Sequence, residues 1–290
     1  MRISTQTSWF FARMGDVRGV HALARIGYDA LDYSMFYFPG TEHPFNGPGY
    51  ERHMHMVRKA ADGSGISFNQ THAPFPSYRP GDTAYNEKTF NHLVRAIEVT
   101  ALLGAKYVVV HPVALEKDQK EFNMEFFGRL APFCREFGVM AAVENMFAWD
   151  NEKDCGKTNV CSTAEEFLDY MESLDPRCFT ACLDIGHAGL VGETPAGMIE
   201  ALGAKHLKSL HVHDNDNRYD LHQLPFTGKI DWKQTMAALW KTGYEGELTF
   251  EADRFLMGFP DGMLEQASAF MLETGRHLAG LMGDSSTGEG

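Results

Sequence analysis

The sequence lacks several features that mark other classes of protein. Its five cysteines are an odd number and include no CxxC pair, which argues against a disulfide framework. No apolar run approaches the roughly twenty residues that a membrane-spanning helix needs. The first residues, MRISTQTSWF, lack the basic and apolar segments of a secretory signal. We therefore expect a protein of the reducing cytoplasm with no membrane partner.

Positive charge is also scarce. Lys and Arg total 26 against 39 Asp and Glu, so the net charge is -13, and no basic run exceeds two residues. Proteins that bind the phosphate backbone of a nucleic acid usually present a basic face, so nucleic acid is not an expected partner. The hydrophobic content of 44% over 290 residues suffices for a large core. We expect one domain over residues 1–282 and a disordered tail at 283–290.

Short strand-like and longer helix-like segments alternate along the chain. The predicted strands are residues 3–7, 30–34, 66–72, 107–111, 140–144, 179–184, 206–213 and 247–251. The predicted helices are residues 16–26, 49–63, 86–103, 119–137, 163–174, 195–202, 232–242 and 263–281. Eight strands, each followed by a helix, predict an α/β protein with a closed (β/α)₈ TIM barrel. An open doubly wound sheet is the alternative, but TQTSWF is not the glycine-rich loop typical after its first strand.

Most of the predicted strands end in residues that can bind metal. In chain order these residues are His72, His111, Glu144, Asp184 (with His187 three positions later), His211 and Glu251. Because the carboxyl ends of barrel strands meet at one face, we expect these side chains to converge on one pit. A salt-bridged strand end would explain a single glutamate. The recurrence favours a site for Mn²⁺, Zn²⁺, Fe²⁺, Co²⁺ or Mg²⁺.

This combination resembles the sugar phosphate isomerase/epimerase family with a xylose-isomerase-like barrel, which is related to endonuclease IV (AP endonuclease family 2). The resemblance covers nearly the whole chain. It implies one catalytic divalent metal, with manganese or zinc favoured, held by four residues. These residues are Glu144 in VEN, Asp184 in LDIGH, His211 at the start of an H-x-x-D element, and Glu251 in FEAD.

The resemblance also implies an enzyme, an isomerase of carbohydrate metabolism. Such an enzyme moves a proton beside the carbonyl of a sugar or sugar derivative, through an enediolate. Glu144 and Glu251 would form the acid/base pair, and His187 would bind substrate. Two bases on opposite faces would give epimerisation, whereas one base shuttling between adjacent carbons would give aldose–ketose isomerisation.

Several further residues are expected to bind substrate or to support a metal. Endonuclease IV takes additional ligands from its third and fourth strands and from a D-x-H element, which correspond here to His72, His111, Asp220 and His222. In sugar-active relatives similar histidines bind substrate hydroxyls. Free-ketose epimerases carry an arginine six residues after the strand-seven histidine, but here that place is Asn217 and Arg218 comes next. The remaining expected residues are His213, Asp150 and the loop aromatic Trp9.

Two other functions remain open at this point. One is a zinc phosphodiesterase like endonuclease IV, with two or three zinc ions, and the other is a non-catalytic sugar-binding barrel. The acidic charge and the aromatic loops disfavour the nuclease. The sequence leaves open the substrate and its phosphorylation, the native metal, and whether the protein is a homo-oligomer.

Overall fold

The computed structural model describes residues 1–282, so the predicted disordered tail lies outside the described residues. The strands are β1 (Ile3–Gln6), β2 (Ala30–Ser34), β3 (Ser67–His72), β4 (Tyr107–Val110), β5 (Met140–Glu144), β6 (Phe147–Asp150), β7 (Cys155–Thr158), β8 (Phe179–Asp184), β9 (Leu207–His211) and β10 (Leu248–Phe250). The helices are α1 (Ser8–Met14), α2 (Asp16–Ile26), α3 (Tyr50–Ser64), α4 (Thr83–Leu103), α5 (Gln119–Phe137), α6 (Ala164–Ser173), α7 (Ile185–Leu190), α8 (Pro195–His206), α9 (Trp232–Thr242), α10 (Asp253–Met257) and α11 (Asp261–Gly280). Within residues 1–282, no helix has the length and apolar character to cross a membrane.

Eight strands form one parallel sheet in the order β10-β1-β2-β3-β4-β5-β8-β9. A parallel bridge between Val212 and Phe250 joins its two ends. There the Val212 N–H donates to the Thr249 carbonyl at 2.8 Å, and the Glu251 N–H donates to the Val212 carbonyl at 3.1 Å. The sheet therefore closes into a barrel, and the predicted (β/α)₈ fold is confirmed.

The predicted strands and long helices are all present, and their bounds differ by at most three residues except at the end of α8. The helix predicted to end at Gly63 continues to Ser64, because Gly65 (φ 72°) takes the left-handed conformation that ends it. Helix α8 runs on to His206 across a kink at Gly203. The elements that the sequence analysis missed are α1, α7, α10, the antiparallel hairpin β6–β7 and a 3₁₀ turn at Pro44–Asn46. Each is too short for a clear hydrophobic period.

The inside of the barrel below the strand ends is polar on the side of β2, β3, β9 and β10. The Gln70 amide donates to Asp32 Oδ2 at 2.9 Å, and its oxygen lies 3.3 Å from the Thr249 hydroxyl. Ser209 also donates to the Gln70 oxygen. All four residues are buried, whereas Leu31 and Tyr33, the neighbours of Asp32 in β2, belong to the hydrophobic core. The Asp32 carboxylate and the Gln70 amide are thus buried inside the barrel, below the strand ends.

Candidate functional site

Four of the predicted metal ligands meet at the carboxyl ends of the strands. Glu144, Asp184 and His211 are the last residues of β5, β8 and β9, and Glu251 directly follows β10. Each offers a ligand atom within 4.8 Å of the others, and all four are buried. We call the space that they border the pit. Three carboxylates buried this close together repel one another unless positive charge lies among them.

His211 is the residue on which the two glutamates converge. Its Nδ1 lies 2.7 Å from Glu144 Oε1 and 2.9 Å from Glu251 Oε2. Burial opposes charge on this ring, but the negative charges of Glu251 and Glu144 raise its pKa well above the ordinary value. Burial likewise opposes ionisation of Glu144 and Glu251, yet His211 lowers the pKa of both carboxyls. The two carboxylates are therefore ionised at neutral pH and directed at one nitrogen.

The donor set fits a divalent cation. His111 Nε2 lies 2.8 Å from Glu144 Oε2, and His72 Nε2 lies 3.6 Å from the same oxygen. Neither is aligned for a hydrogen bond, so this buried oxygen has no hydrogen-bond partner. A buried carboxylate oxygen without a donor is costly, and a cation would satisfy it. A mixed carboxylate and imidazole set suits zinc, manganese or iron.

A second group of possible ligands adjoins Asp184. His187, His213, Asp220 and His222 offer atoms within 4.8 Å of one another. His213 Nε2 lies 3.0 Å from Asp184 Oδ1, and His222 Nε2 lies 2.9 Å from Asp220 Oδ2. Burial opposes charge on His222, but Asp220 and then Glu251 raise its pKa to about 10. The D-x-H element therefore lies beside the strand-end ligands, although it is distant from β8 in sequence.

A third group consists of His72, His111 and Glu144. The rings of the two histidines lie 5.0 Å apart, and burial lowers the pKa of His111. Burial also opposes charge on His72, but Glu144 outweighs it and raises the pKa of that ring. Glu144 is shared between this group and the first. The eight residues matched to endonuclease IV, together with His187, thus lie in three adjoining groups of the folded chain.

Gly186 in the LDIGH motif makes room for one of these histidines. A Cβ at Gly186 would lie 1.9 Å from His213 Cε1, so no larger residue fits unless the ring moves. In the same segment, the Asp184 carboxylate accepts the His187 N–H at 2.7 Å and caps α7. The motif therefore sets both the backbone of α7 and the position of the His213 ring.

Three polar residues behind the ligands were missed by the sequence analysis. Asp32 Oδ2 lies 3.4 Å from His211 Nε2, on the side of the ring away from the glutamates. The Gln6 amide donates to Glu251 Oε1 at 2.6 Å. Asn145 exchanges two hydrogen bonds with the Asp184 backbone, at 2.7 and 3.0 Å. A charged residue inside an apolar strand, as in ALDYS, was the available signal for Asp32.

Three residues predicted to contact substrate have other partners in the folded chain, and their role toward a substrate stays a prediction. Arg218 pairs with the carboxylate of Asp154, which also accepts the Tyr219 hydroxyl at 2.8 Å. Asp150 accepts backbone N–H groups in the turn after β6. Trp9 lies on α1, where the Arg13 guanidinium sits 5.4 Å from its ring. Arg218 thus links the hairpin to the loop after β9, and Trp9 packs against the core.

The sequence of this chain matches a known protein family and several known proteins. A sequence model of the family described as xylose isomerase-like TIM barrel matches residues 20–274. The chain is 29% identical over 180 residues to the uncharacterized protein y4fM of Sinorhizobium fredii, covering 57% of this chain and 53% of that protein. It is 22% identical over 246 residues to D-psicose 3-epimerase of Ruminiclostridium cellulolyticum, covering 80% and 76%. The matched part thus spans about half the length of the first relative.

A solved structure of D-psicose 3-epimerase in the presence of D-fructose shares the fold. Its TM-score is 0.74 at 15% identity, over 97% of this chain and 100% of that one. At this identity the likeness concerns the arrangement of strands and helices. It agrees with the closed barrel and the single set of converging strand ends.

Proposed function

Because the chain belongs to the xylose isomerase-like TIM barrel family, we propose that it is a divalent-metal-dependent sugar epimerase or isomerase. One observation carries the proposal. Glu144, Asp184, His211 and Glu251 meet within 4.8 Å at the strand ends, and both glutamates approach the same His211 nitrogen. Carboxylates held this way can bind a cation and also exchange protons with a substrate beside it.

The four residues would hold the metal, which would supply a positive charge that polarises a carbonyl. The chain's own residues then do the proton transfer. Glu144 Oε2 has no hydrogen-bond partner and can accept a proton, while the Gln6 amide holds Glu251 Oε1 in place. The lowered pKa values of both carboxyls keep them in the basic form at neutral pH.

Epimerisation is the favoured reaction within this proposal. Two bases that reach different faces of a planar enediolate invert one carbon, and Glu144 and Glu251 approach His211 from two different strands. The relative named D-psicose 3-epimerase, at 22% identity, supports the same choice. His187, His72 and His111 would bind substrate hydroxyls, because their rings border the pit.

Solvent exchange tests the proposal directly. The protein is incubated with Mn²⁺ or Zn²⁺ and a panel of ketoses in deuterated water, and deuterium beside the carbonyl is followed by NMR. We expect exchange for at least one ketose and none after chelation of the metal. Binding of a ketose without exchange or turnover would instead identify a non-catalytic sugar-binding barrel.

One observation favours a second candidate. The groups His72–His111–Glu144 and His187–His213–Asp220–His222 flank the first four ligands, as three zinc sites would require. The net charge of -13 opposes binding of a nucleic acid. Three zinc ions per chain together with incision of abasic DNA at physiological salt would establish the phosphodiesterase and displace the epimerase.

A further inference from the structure

A separate cavity of about 330 Å³ lies next to the pit. It is lined by residues of the loops after β2 and β3 and of the first turns of α4. Two of its lining residues, Phe36 and Phe75, also contact the histidines that adjoin Glu144: the Phe75 ring stacks on His111 at 4.5 Å, and the Phe36 ring lies 5.2 Å from His72. These two rings therefore separate the cavity from the histidines beside Glu144.

The lining of this cavity carries positive charge and no carboxylate. Arg79, Lys88 and His92 all line it. The neighbouring acids Asp82 and Glu87 do not, and Asp82 caps α4 at the Tyr85 N–H. Each of four other cavities on the described chain includes at least one carboxylate. In a protein with 13 excess negative charges, such a local reversal of sign is unexpected.

The two cations are free for a ligand. Among residues 1–282, neither Arg79 nor Lys88 has a carboxylate within ion-pair distance. The Arg79 guanidinium instead stacks on the Tyr85 ring at 3.9 Å, and the Tyr85 hydroxyl is anchored on the Pro76 carbonyl at 2.6 Å. Stacking leaves the planar edge of the guanidinium available for two parallel hydrogen bonds.

The pKa of His92 reflects the positive charge around the cavity. Burial lowers its pKa, and the positive charges of Lys88 and Arg95 lower it further. Arg95 is otherwise occupied, since it donates to the Phe45 carbonyl at 2.8 Å and stacks on Tyr50. The neutral imidazole can donate one hydrogen bond to an anion that Arg79 and Lys88 hold.

We propose that this cavity binds an anionic group, a carboxylate or a phosphate, at the end of the substrate remote from its reacting carbon. The proposal rests on the proposed sugar chemistry of the pit. An arginine fork, an ammonium and an imidazole without competing carboxylates suit either group. The wall formed by Phe36 and Phe75 would cover the uncharged carbons between the anion and the metal ligands.

Binding of inorganic phosphate tests the site without a known substrate. Wild type is compared with R79Q/K88Q and with the matched control R52Q/K59Q, which removes two exposed cations from α3. At low ionic strength we expect phosphate to shift the His92 ring signals in NMR spectra. R79Q/K88Q should weaken this binding roughly tenfold or more, and the control should not. Equal affinity in all three proteins, or no shift at His92, overturns the proposal.

Solvent-exchange kinetics separate this proposal from the proposed function. A ketose phosphate, a keto-uronate and the neutral ketose are compared in deuterated water. We expect one of the two anionic sugars to have the lowest KM, and R79Q/K88Q to raise that KM about tenfold without raising that of the neutral ketose. Exchange without preference for charge would refute the anion site and leave the sugar chemistry standing. Phosphate binding at Arg79 with no exchange of any sugar would refute the sugar chemistry alone.

Discussion

Two groups of histidines and carboxylates in this molecule use the same residue types in different ways. One group borders the pit and consists of Glu144, Asp184, His211 and Glu251. The other, the Asp16 network, lies between α2 and α3 and contains Asp16, His43, His53 and the Tyr33 hydroxyl. In both, the ligand atoms of histidine and carboxylate lie within 4.8 Å of one another.

One carboxylate oxygen in the Asp16 network already has three hydrogen-bond partners. Asp16 Oδ2 accepts the Tyr33 hydroxyl at 2.6 Å and faces His53 Nε2 at 2.8 Å and His43 Nε2 at 3.2 Å. His43 Nδ1 accepts the Phe45 N–H at 3.1 Å, so the proton of this ring is on Nε2 and points at Asp16. A metal cannot take that nitrogen unless the tautomer changes and the contact with Phe45 is lost.

The pit has the opposite balance of donors and acceptors. Its four residues include three carboxylates and one histidine, and Glu144 Oε2 has no hydrogen-bond partner. The lesson is that the residue types alone do not distinguish a ligand set from a structural network. The two can be distinguished by the partner of the second ring nitrogen of each histidine and by the number of carboxylate oxygens that lack a hydrogen-bond partner.

The largest expected effect is on metal binding, which should separate the pit from the Asp16 network. E144Q and D184N each remove the charge of a predicted ligand from the pit, and we expect both to weaken divalent-metal binding by roughly a hundredfold or more. Elemental analysis after dialysis and competition with a chelator measure it. D16N is the matched control, because it removes the same charge from the Asp16 network, and it should bind metal like wild type. Full metal retention in both pit variants would contradict the ligand assignment.

A smaller effect on metal but a large one on turnover is expected for E251Q. The amide oxygen can still bind the metal, and its NH2 can donate to the Gln6 oxygen once the Gln6 amide flips, but the side chain cannot act as a base. Solvent exchange should therefore slow by about a hundredfold with most of the metal retained. E200Q, an exposed change on α8, should behave as wild type. Wild-type exchange rates in E251Q would rule out the two-carboxylate mechanism.

The Asp16 network should matter for stability rather than for metal. Replacement of Asp16 by Asn leaves Tyr33, His43 and His53 facing an amide, and we expect a loss of about 2 kcal/mol in the free energy of unfolding. Chemical denaturation of D16N and wild type measures the difference. A variant as stable as wild type would show that these hydrogen bonds contribute nothing net.

Asp32 lies behind the pit and is expected to influence metal binding through His211. Because it faces His211 Nε2 at 3.4 Å, it should hold the ring with Nδ1 directed at the glutamates. D32N should therefore weaken metal binding about tenfold, with a changed absorption spectrum of the Co²⁺-substituted protein. Unchanged affinity and spectrum would leave Asp32 as a partner of Gln70 only.

The smallest expected effect is in the pH dependence of stability. Burial opposes ionisation of Asp16, but hydrogen bonds from His43, His53 and Tyr33 lower its pKa well below the ordinary 3.8. A lowered folded-state pKa contributes stability that is present above the unfolded value and is lost as the pH falls through the folded one. The advantage of wild type over D16N should thus be constant above about pH 5 and shrink below about pH 4. An advantage that grew with acid would have the wrong sign.

Much of the barrel follows from local sequence. Apolar runs, glycines such as Gly104 and Gly138 at helix ends, and polar residues directly after the runs predicted all eight barrel strands. Because parallel strands of a barrel end at one face, the convergence of Glu144, Asp184 and His211 could be predicted without coordinates. These signals are local in the chain, so the sequence alone determined them.

Only the tertiary structure decided which side chains face one another. Asp32 reaches His211 across the barrel, Arg218 turns to Asp154 on the hairpin, and Arg79 joins Lys88 beside Phe75 without a carboxylate. These relations depend on strand register, on loop conformation and on which face of a strand points inward. A one-residue shift in register would reverse that face, and the packing of the whole barrel, rather than any local pattern, sets it.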